Sequence, residues 1–329
     1  MGQEVSHEEL GGALMHAQLS GTIDFRDPDD ATCLARVRQL VGLLPEDRRA
    51  AVFRRDESRP PARPEAEITQ VFPVDPQQRY EMRDVLDCLV DAGSLQEYKA
   101  DYGRTVICAY GRVGGFPVGI VANQHHPEKS GRGELQFGGV IYHESAEKAA
   151  RFVMDCNQSW LPLIFLQDVF GFMVGRDSEQ AGIIRAGAKL VNAVSNSRVP
   201  KLTVILGGSY GAGHYALCGK AFDPRFIFAW PTAQYAVMGS HQAASTLLEV
   251  EVAALKRTGQ TPDADQLEAL RRQIVASYTT QTDIRHAAAR GWVDAVIEPD
   301  RTREILIRSL EIATRHADDE PFRTGVLQV

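Results

Sequence analysis

The chain has 329 residues, of which 36 are Lys or Arg and 43 are Asp or Glu, so its formal net charge is −7. Binding to nucleic acid needs a basic surface, and this acidic balance argues against nucleic acid as the main partner. No apolar run approaches the ~20 residues that span a bilayer, and the first residues lack a signal-peptide pattern, so we expect a cytoplasmic protein with no membrane partner. The five cysteines are widely spaced and form no CxxC pair, so neither a zinc site nor a disulfide framework is expected.

Proline content and apolar spacing divide the chain. Residues 1–57 look helical in patches, and residues 58–66 contain three prolines, which disfavour a helix and favour an extended linker. We therefore expect a domain boundary at 58–66, with a domain over residues 67–329 behind it. Apolar residues at helical spacing predict a helix within 75–98.

Strands and helices alternate through the rest of the chain. Residues 105–110 and 116–122 are rich in β-forming residues and flank Gly114 and Gly115, which predicts a hairpin. Two charged helices are predicted between 245 and 276, with a break at Gly259 and Pro262. This alternation predicts an α/β fold with buried strands. Further strands are expected at 163–166, 202–206, 226–229 and 235–238, and helices over 149–156 and 183–194.

The most informative segment, residues 201–219, reads KLTVILGGSYGAGHYALCG. A buried strand leads into four glycines and then into a helix. Glycine at such a turn allows a ligand to approach the backbone, and the free N–H groups at a helix start bind oxygen anions. The pattern predicts an anion or oxyanion site, and the alternative is that the glycines only permit tight packing of helix on strand. The four are Gly207, Gly208, Gly211 and Gly213.

The same segment contains GGSYG, a match to the GxSxG nucleophile elbow of α/β-hydrolases. In that hypothesis Ser209 attacks an ester, and its partners are Asp283 with His286 or Asp294 with His316. The pattern has only three fixed positions in a chain with 28 glycines, so it is weak evidence. The alternative is a turn serine that hydrogen-bonds to the local backbone.

A second glycine-rich loop lies upstream in LQDVFGFMVGRDSEQAGIIRAGAK, residues 166–189. A strand that ends near Asp168 leads into an apolar loop, which we interpret as the wall of a flat pocket. The alternative is that Phe172 is only a core anchor. Asp168 is a candidate general base, or else an N-cap or ion-pair residue. The pair His125 and His126 is interpreted as part of a surface loop.

These two loops carry a family resemblance. The chain resembles the carboxyltransferase (β) subunit of biotin-dependent acyl-CoA carboxylases, and the FGFMVG and FAWP motifs look closest to the methylcrotonyl-CoA and geranyl-CoA carboxylase branch. The resemblance implies a crotonase-like ββα superhelix of the C-terminal carboxyltransferase type. Matching stretches include GGVIYHESAEKAARFV, LPLIFLQDVFGFMVG, GIIRAGAKLVNAV, GGSYGAGHYALCGKAFDPRFIFAWP, AVMGSHQAA and VDAVIEPDRTR.

The resemblance also implies a reaction and a set of site residues. Carboxybiotin, delivered on the carrier domain of an α subunit that also includes biotin carboxylase, would release CO₂ to an acyl-CoA of the 3-methylcrotonyl type. Backbone N–H groups would stabilise the biotin enolate, and no metal in this chain is implied. The implied oxyanion donors are Ala212 and Gly213, the implied biotin-pocket residues are Gly171, Phe172, Gly175, Gly182, Tyr210 and Gly211, and Tyr215 is the implied substrate residue.

The chain departs from the family pattern in two ways. The stretch EVSHEELGGALMHAQLSG resembles the end of the first crotonase-like domain, so residues 1–57 are expected to be a remnant of that domain in an N-terminally truncated subunit. A separate N-terminal half, or a full-length paralogue, is then an expected partner in an oligomer. The alternative function is a non-catalytic scaffold subunit. Ala186 also replaces a residue that is usually polar in the family.

Overall fold

The computed structural model describes residues 2, 4–45, 53, 55–75, 78–257, 263–315 and 322–323. The strands are β1 Gln96–Tyr98, β2 Val106–Val113, β3 Phe116–Asn123, β4 Glu128–Lys129, β5 Leu135–Gln136, β6 Val140–Ile141, β7 Leu163–Val169, β8 Gly171–Phe172, β9 Lys201–Tyr210, β10 Phe226–Ala229, β11 Gln234–Ala236 and β12 Ala295–Val296. The helices are α1 His7–Gly11, α2 Ala13–Met15, α3 Asp30–Val41, α4 Ile68–Val71, α5 Met82–Leu89, α6 His143–Gln158, α7 Arg176–Ala181, α8 Ile183–Ser195, α9 Gly211–Ala216, α10 Ser240–Arg257, α11 Ala264–Thr282, α12 Ile284–Ala288 and α13 Thr302–Ala313. A π-helical turn covers His16–Ser20, and 3₁₀ turns cover Glu65–Glu67, Lys220–Phe222 and Pro299–Arg301.

One mixed sheet organises the described residues, with the strand order β1-β2-β3-β7-β9-β10-β12 and β11 also paired to β9. The β1–β2 and β2–β3 pairings are antiparallel, whereas the pairings of β3 with β7, of β9 with β7 and β10, and of β10 with β12 are parallel. The β2–β3 hairpin and the α/β alternation predicted from the sequence are both confirmed. The carboxyl ends of the parallel strands lie at one edge, where α/β proteins usually place their ligands.

Both faces of this sheet are buried, which explains the continuous apolar runs in its strands. Every residue of β7 is buried. Nine of the ten residues of β9 are also buried, and the exception, Gly207, is partly buried. One face packs against α6 and α8, and the other packs against α5 and α13. Two hydrophobic cores therefore share the sheet, and any polar side chain at the end of a central strand has to find its partners inside one of them.

Some predicted bounds are wrong. The helix predicted within 75–98 covers only Met82–Leu89, because the backbone is already extended at Val90, and a turn and β1 follow. The strand predicted at 235–238 is Gln234–Ala236. The two helices predicted between 245 and 276 exist, although Gly259 and Pro262 lie outside the described residues. No helix in the described ranges combines the length and the apolar character needed to cross a bilayer.

The segment predicted as a linker packs closely against the rest of the chain. Pro61 forms a bridge to Asp91, and the backbone N–H of Arg59 donates to the Asp91 carboxylate over 3.3 Å. The Asp91 carboxylate also accepts a 2.8 Å bond from the guanidinium of Arg303 on α13, which donates in turn to the carbonyls of Leu89 and Arg59. This buried ion pair ties residues 59–61 to α5 and α13. The domain boundary at 58–66 remains a prediction.

Replacing Arg303 with Met should destabilise the fold by about 3–5 kcal/mol, because the change leaves Asp91 charged, buried and without its cation. The free energy of unfolding from urea denaturation of the full chain measures this. Arg308→Met is the matched control on the same helix: the Arg308 side chain is 69% exposed and pairs with Glu304, so its loss should cost less than about 1 kcal/mol. Equal losses in the two variants would contradict a structural role for the Asp91–Arg303 pair.

Candidate active site

A bulge in β9 explains the first two glycines of the cluster. Gln167 of β7 faces Ile205, but Val169 faces Ser209, so β9 advances four residues while β7 advances two. The Gly208 N–H donates to the Asp168 carboxylate over 2.7 Å. A Cβ at Gly207 would lie 2.4 Å from Asp168 Oδ1, a distance that leaves no room for a side chain. These two glycines therefore serve the bulge and its contact with Asp168.

The other two glycines lie where β9 turns into α9. Gly211 has a φ of +52°, which glycine adopts without strain, and its Cβ would lie 2.9 Å from the Val237 carbonyl oxygen. A Cβ at Gly213 would lie 2.6 Å from Val169 Cγ2 and 3.1 Å from the Gly171 Cα. The backbone of α9 thus rests directly on the start of the upstream glycine loop, so the two loops predicted to form one site do meet.

The upstream loop has an open backbone on its other side. Gly171 and Gly175 have φ values of +123° and +124°, and a Cβ on either would meet no atom within 4 Å. Phe172 is partly buried and packs on α8, where a Cβ at Gly187 would lie 3.0 Å from the ring, and its predicted place in a biotin pocket remains a prediction. Gly175 and Gly182 are the N-cap and C-cap of α7.

The remaining predicted residues have distinct positions. Ala212 is exposed at the start of α9, whereas Gly213 is buried. The Tyr215 ring is 47% exposed and contacts Phe222 edge to face. Tyr210 is 7% exposed, stacks on Phe170, and donates from its hydroxyl to Gln234. The structure therefore brings Gly171 and Gly213 together, and it forms a separate polar cluster around Asp168.

Asp168 is the centre of that cluster. Its Oδ2 accepts from the Tyr80 hydroxyl over 2.9 Å and lies 2.8 Å from His125 Nδ1, while Oδ1 takes the Gly208 N–H. Burial and the Asp168 charge raise the pKa of Tyr80 well above its usual value, so this phenol stays protonated as a donor. Both carboxylate oxygens are engaged in hydrogen bonds to protein groups, which argues against Asp168 as a general base. The expected surface position of His125 is wrong, because its side chain is only 9% exposed.

Ser209 does not have the geometry of a nucleophile elbow. It lies within β9, is fully buried and has no positive φ. Its hydroxyl is 2.7 Å from His214 Nδ1, and the predicted partners are elsewhere: Asp283 pairs with Arg285, and Asp294 pairs with Lys220. His286 packs beside Trp292, and His316 lies outside the described residues. An ester has no access to Ser209, so the structure argues against the hydrolase hypothesis.

The sequence interpretation missed His214 and the side chains around it. Ser209 Oγ donates to Gln167 Oε1 over 2.5 Å, and the Tyr235 hydroxyl lies 2.9 Å from His214 Nε2. The sequence feature that could have indicated these side chains is Gln167, a polar residue in an otherwise largely apolar strand. A buried amide needs hydrogen-bond partners, so other buried polar groups had to lie beside it. In the described ranges, no three His, Cys, Asp or Glu side chains are grouped so as to hold a metal ion.

Burial lowers the pKa of His214 from 6.5 to about 4, which gives the fold a specific pH dependence. Above pH 6.5 the imidazole is neutral in the folded and unfolded chain, so its contribution to stability is complete. As the pH falls from 6.5 towards 4, the unfolded chain takes up a proton and the folded chain does not, and stability is lost. The wild-type chain should lose about 3 kcal/mol more than His214→Gln over this interval. Urea denaturation at a series of pH values measures the difference, and parallel curves for the two proteins would contradict it.

Comparison with known proteins agrees with this geometry. The carboxyl transferase domain model matches residues 1–325. The biotin-dependent 3-methylcrotonyl-coenzyme A carboxylase beta1 subunit of Mycobacterium tuberculosis is 41% identical over 329 residues, which is 100% of this chain and 59% of that protein. The structure of transcarboxylase 12S, a hexamer, aligns with a TM-score of 0.84 at 34% identity, covering 99% of this chain and 59% of that one.

The beta subunit of geranyl-CoA carboxylase from P. aeruginosa aligns with a TM-score of 0.70 at 35% identity over 99% of this chain and 59% of that one. The chain thus spans about three-fifths of the length of the relatives it matches. The matches confirm the resemblance found in the sequence and the expected crotonase-like α/β fold. The chain belongs to the carboxyl transferase domain family.

Proposed function

We propose that the chain is the carboxyl-transferring component of a biotin-dependent acyl-CoA carboxylase, with an acyl-CoA of the 3-methylcrotonyl type as acceptor. Two kinds of support converge on this. The relatives named for methylcrotonyl-CoA and geranyl-CoA carboxylases match nearly all of this chain. The two glycine loops that carry the resemblance also lie against each other in the fold.

The observation that carries the proposal is the bare backbone at the meeting point of these loops. Gly171 and Gly175 lack side chains in a backbone conformation that disfavours any other residue, and open space lies beside both. The planar ureido group of biotin could lie against an open backbone surface of this kind. A side chain at either position would fill the space, so the residues present suit the group.

The proposed donors are the backbone N–H groups of Ala212 and Gly213. The first N–H groups of a helix have no carbonyl partner within it, so they are available to a ligand. Because α9 has only six residues, we assign the effect to individual amides and not to a helix macrodipole. Carboxybiotin, when bound, supplies the carboxyl group. The two amides would donate to its ureido oxygen and stabilise the charge that develops there.

The other site residues have supporting roles in this proposal. Phe172 anchors the loop on α8, and Gly175 and Gly182 set the two ends of α7, so the loop keeps its open shape. Gly211 provides the turn into α9, and Tyr210 closes β9 before it. The half-exposed ring of Tyr215 is offered to the acyl chain.

The proposal includes partners. A biotin carboxylase and biotin carrier (α) subunit would deliver the carboxyl group, and the N-terminal crotonase-like region of the relatives would hold most of the coenzyme A. That region is supplied in the experiment as a separate polypeptide, because the match covers 59% of the relatives. An oligomeric state and a cytoplasmic location are part of the same expectation.

Reconstitution tests the proposed activity. The full chain is mixed with biotin carboxylase, a biotinylated carrier and the N-terminal polypeptide, with ATP and labelled bicarbonate. We expect label to enter 3-methylcrotonyl-CoA faster than short unbranched acyl-CoA esters, and no label without this chain. The proposal fails if the partners bind but no acyl-CoA is carboxylated. If the mixture is equally active when this chain carries a blocking Gly213→Trp change, the chain is a non-catalytic scaffold.

Gly213→Ala tests the amide donors. The new Cβ would lie 2.6 Å from Val169 Cγ2, so α9 has to shift away from the upstream loop. Losing an oxyanion donor lowers kcat by roughly 10²–10³-fold, and we expect at least a tenfold loss for this displacement. Gly11→Ala is the control, because its Cβ would meet nothing within 4 Å. A full rate in Gly213→Ala, with an unchanged melting curve, would contradict the assignment.

A further inference from the structure

A buried chain of hydrogen bonds links β7, β9, β11 and α9 just behind the proposed donors. Its centre is His214, which directly follows Gly213 and is 3% exposed. Nδ1 lies 2.7 Å from Ser209 Oγ, and Nε2 lies 2.9 Å from the Tyr235 hydroxyl. The backbone N–H of Lys220 also points at Nε2, at 3.3 Å. Each ring nitrogen therefore has protein partners.

The donor and acceptor in each of these hydrogen bonds can be assigned from the Lys220 backbone N–H. A backbone N–H can only donate, so Nε2 of His214 has to be the acceptor towards Lys220. In a neutral imidazole the proton then resides on Nδ1, which donates to Ser209 Oγ. The Ser209 hydroxyl is left to donate to Gln167 Oε1, at 2.5 Å.

The series of hydrogen bonds ends on the backbone of α9. With Oε1 of Gln167 occupied by Ser209, the Nε2 amide group donates to the carbonyls of Leu217, at 2.7 Å, and His214, at 3.3 Å. Every donor from the Lys220 N–H to the Gln167 amide thus points the same way, which makes the bonds mutually strengthening. A helix of only six residues has few hydrogen bonds of its own, so these bonds add to its packing on Val169 and Gly171 in holding it on the sheet.

The surroundings of His214 favour its neutral form. The groups that face it are Ser209 of β9, the hydroxyl of Tyr235 on β11, the ring of Tyr215 at 5.6 Å, the Lys220 backbone and Gln167 of β7. None of these is a carboxylate that would favour an imidazolium, and Nε2 is already met by two donors. A positive charge here would oppose both contacts.

We propose that His214, as the neutral imidazole with its proton on Nδ1, is a positioning residue that holds the Ala212 and Gly213 amides in place for the transfer step. This inference rests on the proposed function. It also gives the GGSYG serine a role: Ser209 relays the bond from His214 to Gln167. The residue pair that resembles a nucleophile and its base is thereby assigned to the support of backbone donors.

The kinetic test uses the full chain in the reconstituted carboxylase. His214→Leu removes both ring contacts, and we expect kcat to fall about 10- to 100-fold with KM for the acyl-CoA within about twofold, because a displacement of about 1 Å has effects of this size. His214→Asn offers a donor near the Nδ1 position and His214→Gln an acceptor near the Nε2 position. Each should recover part of kcat. Tyr235→Phe, which removes one hydroxyl from a half-buried residue, should cost only a few-fold.

Thr105→Val is the matched control. Its hydroxyl is buried and bonded to Ser145 at 2.9 Å, so the change removes a comparable buried hydrogen bond at the start of α6. The compared variant is Ser209→Ala, which removes the hydroxyl between His214 and Gln167. The kcat of Thr105→Val should equal that of the wild-type chain, even if both variants lose the same free energy of unfolding. An equal fall in kcat for Thr105→Val and Ser209→Ala would show a general stability effect and overturn the proposal.

Two measurements separate this inference from the proposed function. Long-range ¹H–¹⁵N correlation on histidine-labelled chain should show one neutral imidazole with Nδ1 protonated, lost in His214→Leu. Hydrogen exchange should show faster exchange of the α9 amides in that variant. These results without any carboxylation would refute the proposed function and leave the network intact. An Nε2-protonated ring, or unchanged exchange in α9, would overturn the role of His214 whatever the activity.

Discussion

The structure around the site depends on two adjacent polar residues at the end of a strand that is buried on both faces. Side chains alternate along a strand, so Gln167 and Asp168 of β7 point into opposite halves of the core. Gln167 is fully buried and Asp168 is 3% exposed, so each has to find protein partners. Gln167 binds Ser209 and the last turn of α9, and Asp168 binds Tyr80, His125 and Gly208.

Both sets of partners include β9, and this requirement explains its irregular register. A regular β9 would place alternate residues in step with β7, whereas the extra residues at the bulge bring the Gly208 N–H to one carboxylate and the Ser209 hydroxyl to one amide. The bulge also bends the strand before it enters α9. The position of the proposed donors is therefore a consequence of how two buried polar side chains are satisfied one strand away.

The sequence predicted the parts of this arrangement that depend on local pattern. Buried apolar runs predicted β7, β9 and β10, and the glycine pair predicted the hairpin between β2 and β3. The different roles of the glycines within one cluster were not predictable. Asp168 leaves no room for a side chain at Gly207, and Val169 leaves none at Gly213, and both residues belong to a strand some forty residues earlier. The helix predicted after residue 75 is shorter than predicted, because the apolar spacing continues through Leu89 and Val90 although the backbone is already extended at Val90.

The same limit explains why GGSYG is misleading as a motif. The motif has three fixed residues and is typical of a strand followed by a turn and a helix, and this chain has both the residues and the three elements. What distinguishes a hydrolase from this site is whether the serine lies on the strained turn or inside the strand, and whether the histidine beside it is able to accept a proton. Here Ser209 lies inside β9, and the donors that surround Nε2 of His214 act in the same direction as burial, which lowers the pKa of that imidazole to about 4. An imidazole that burial keeps neutral is a poor proton acceptor, and its hydrogen bonds can hold neighbouring groups in place. Stabilisation of an oxyanion by backbone amides needs no side chain to change its charge, so an anchor of this kind is compatible with the transfer chemistry that we propose.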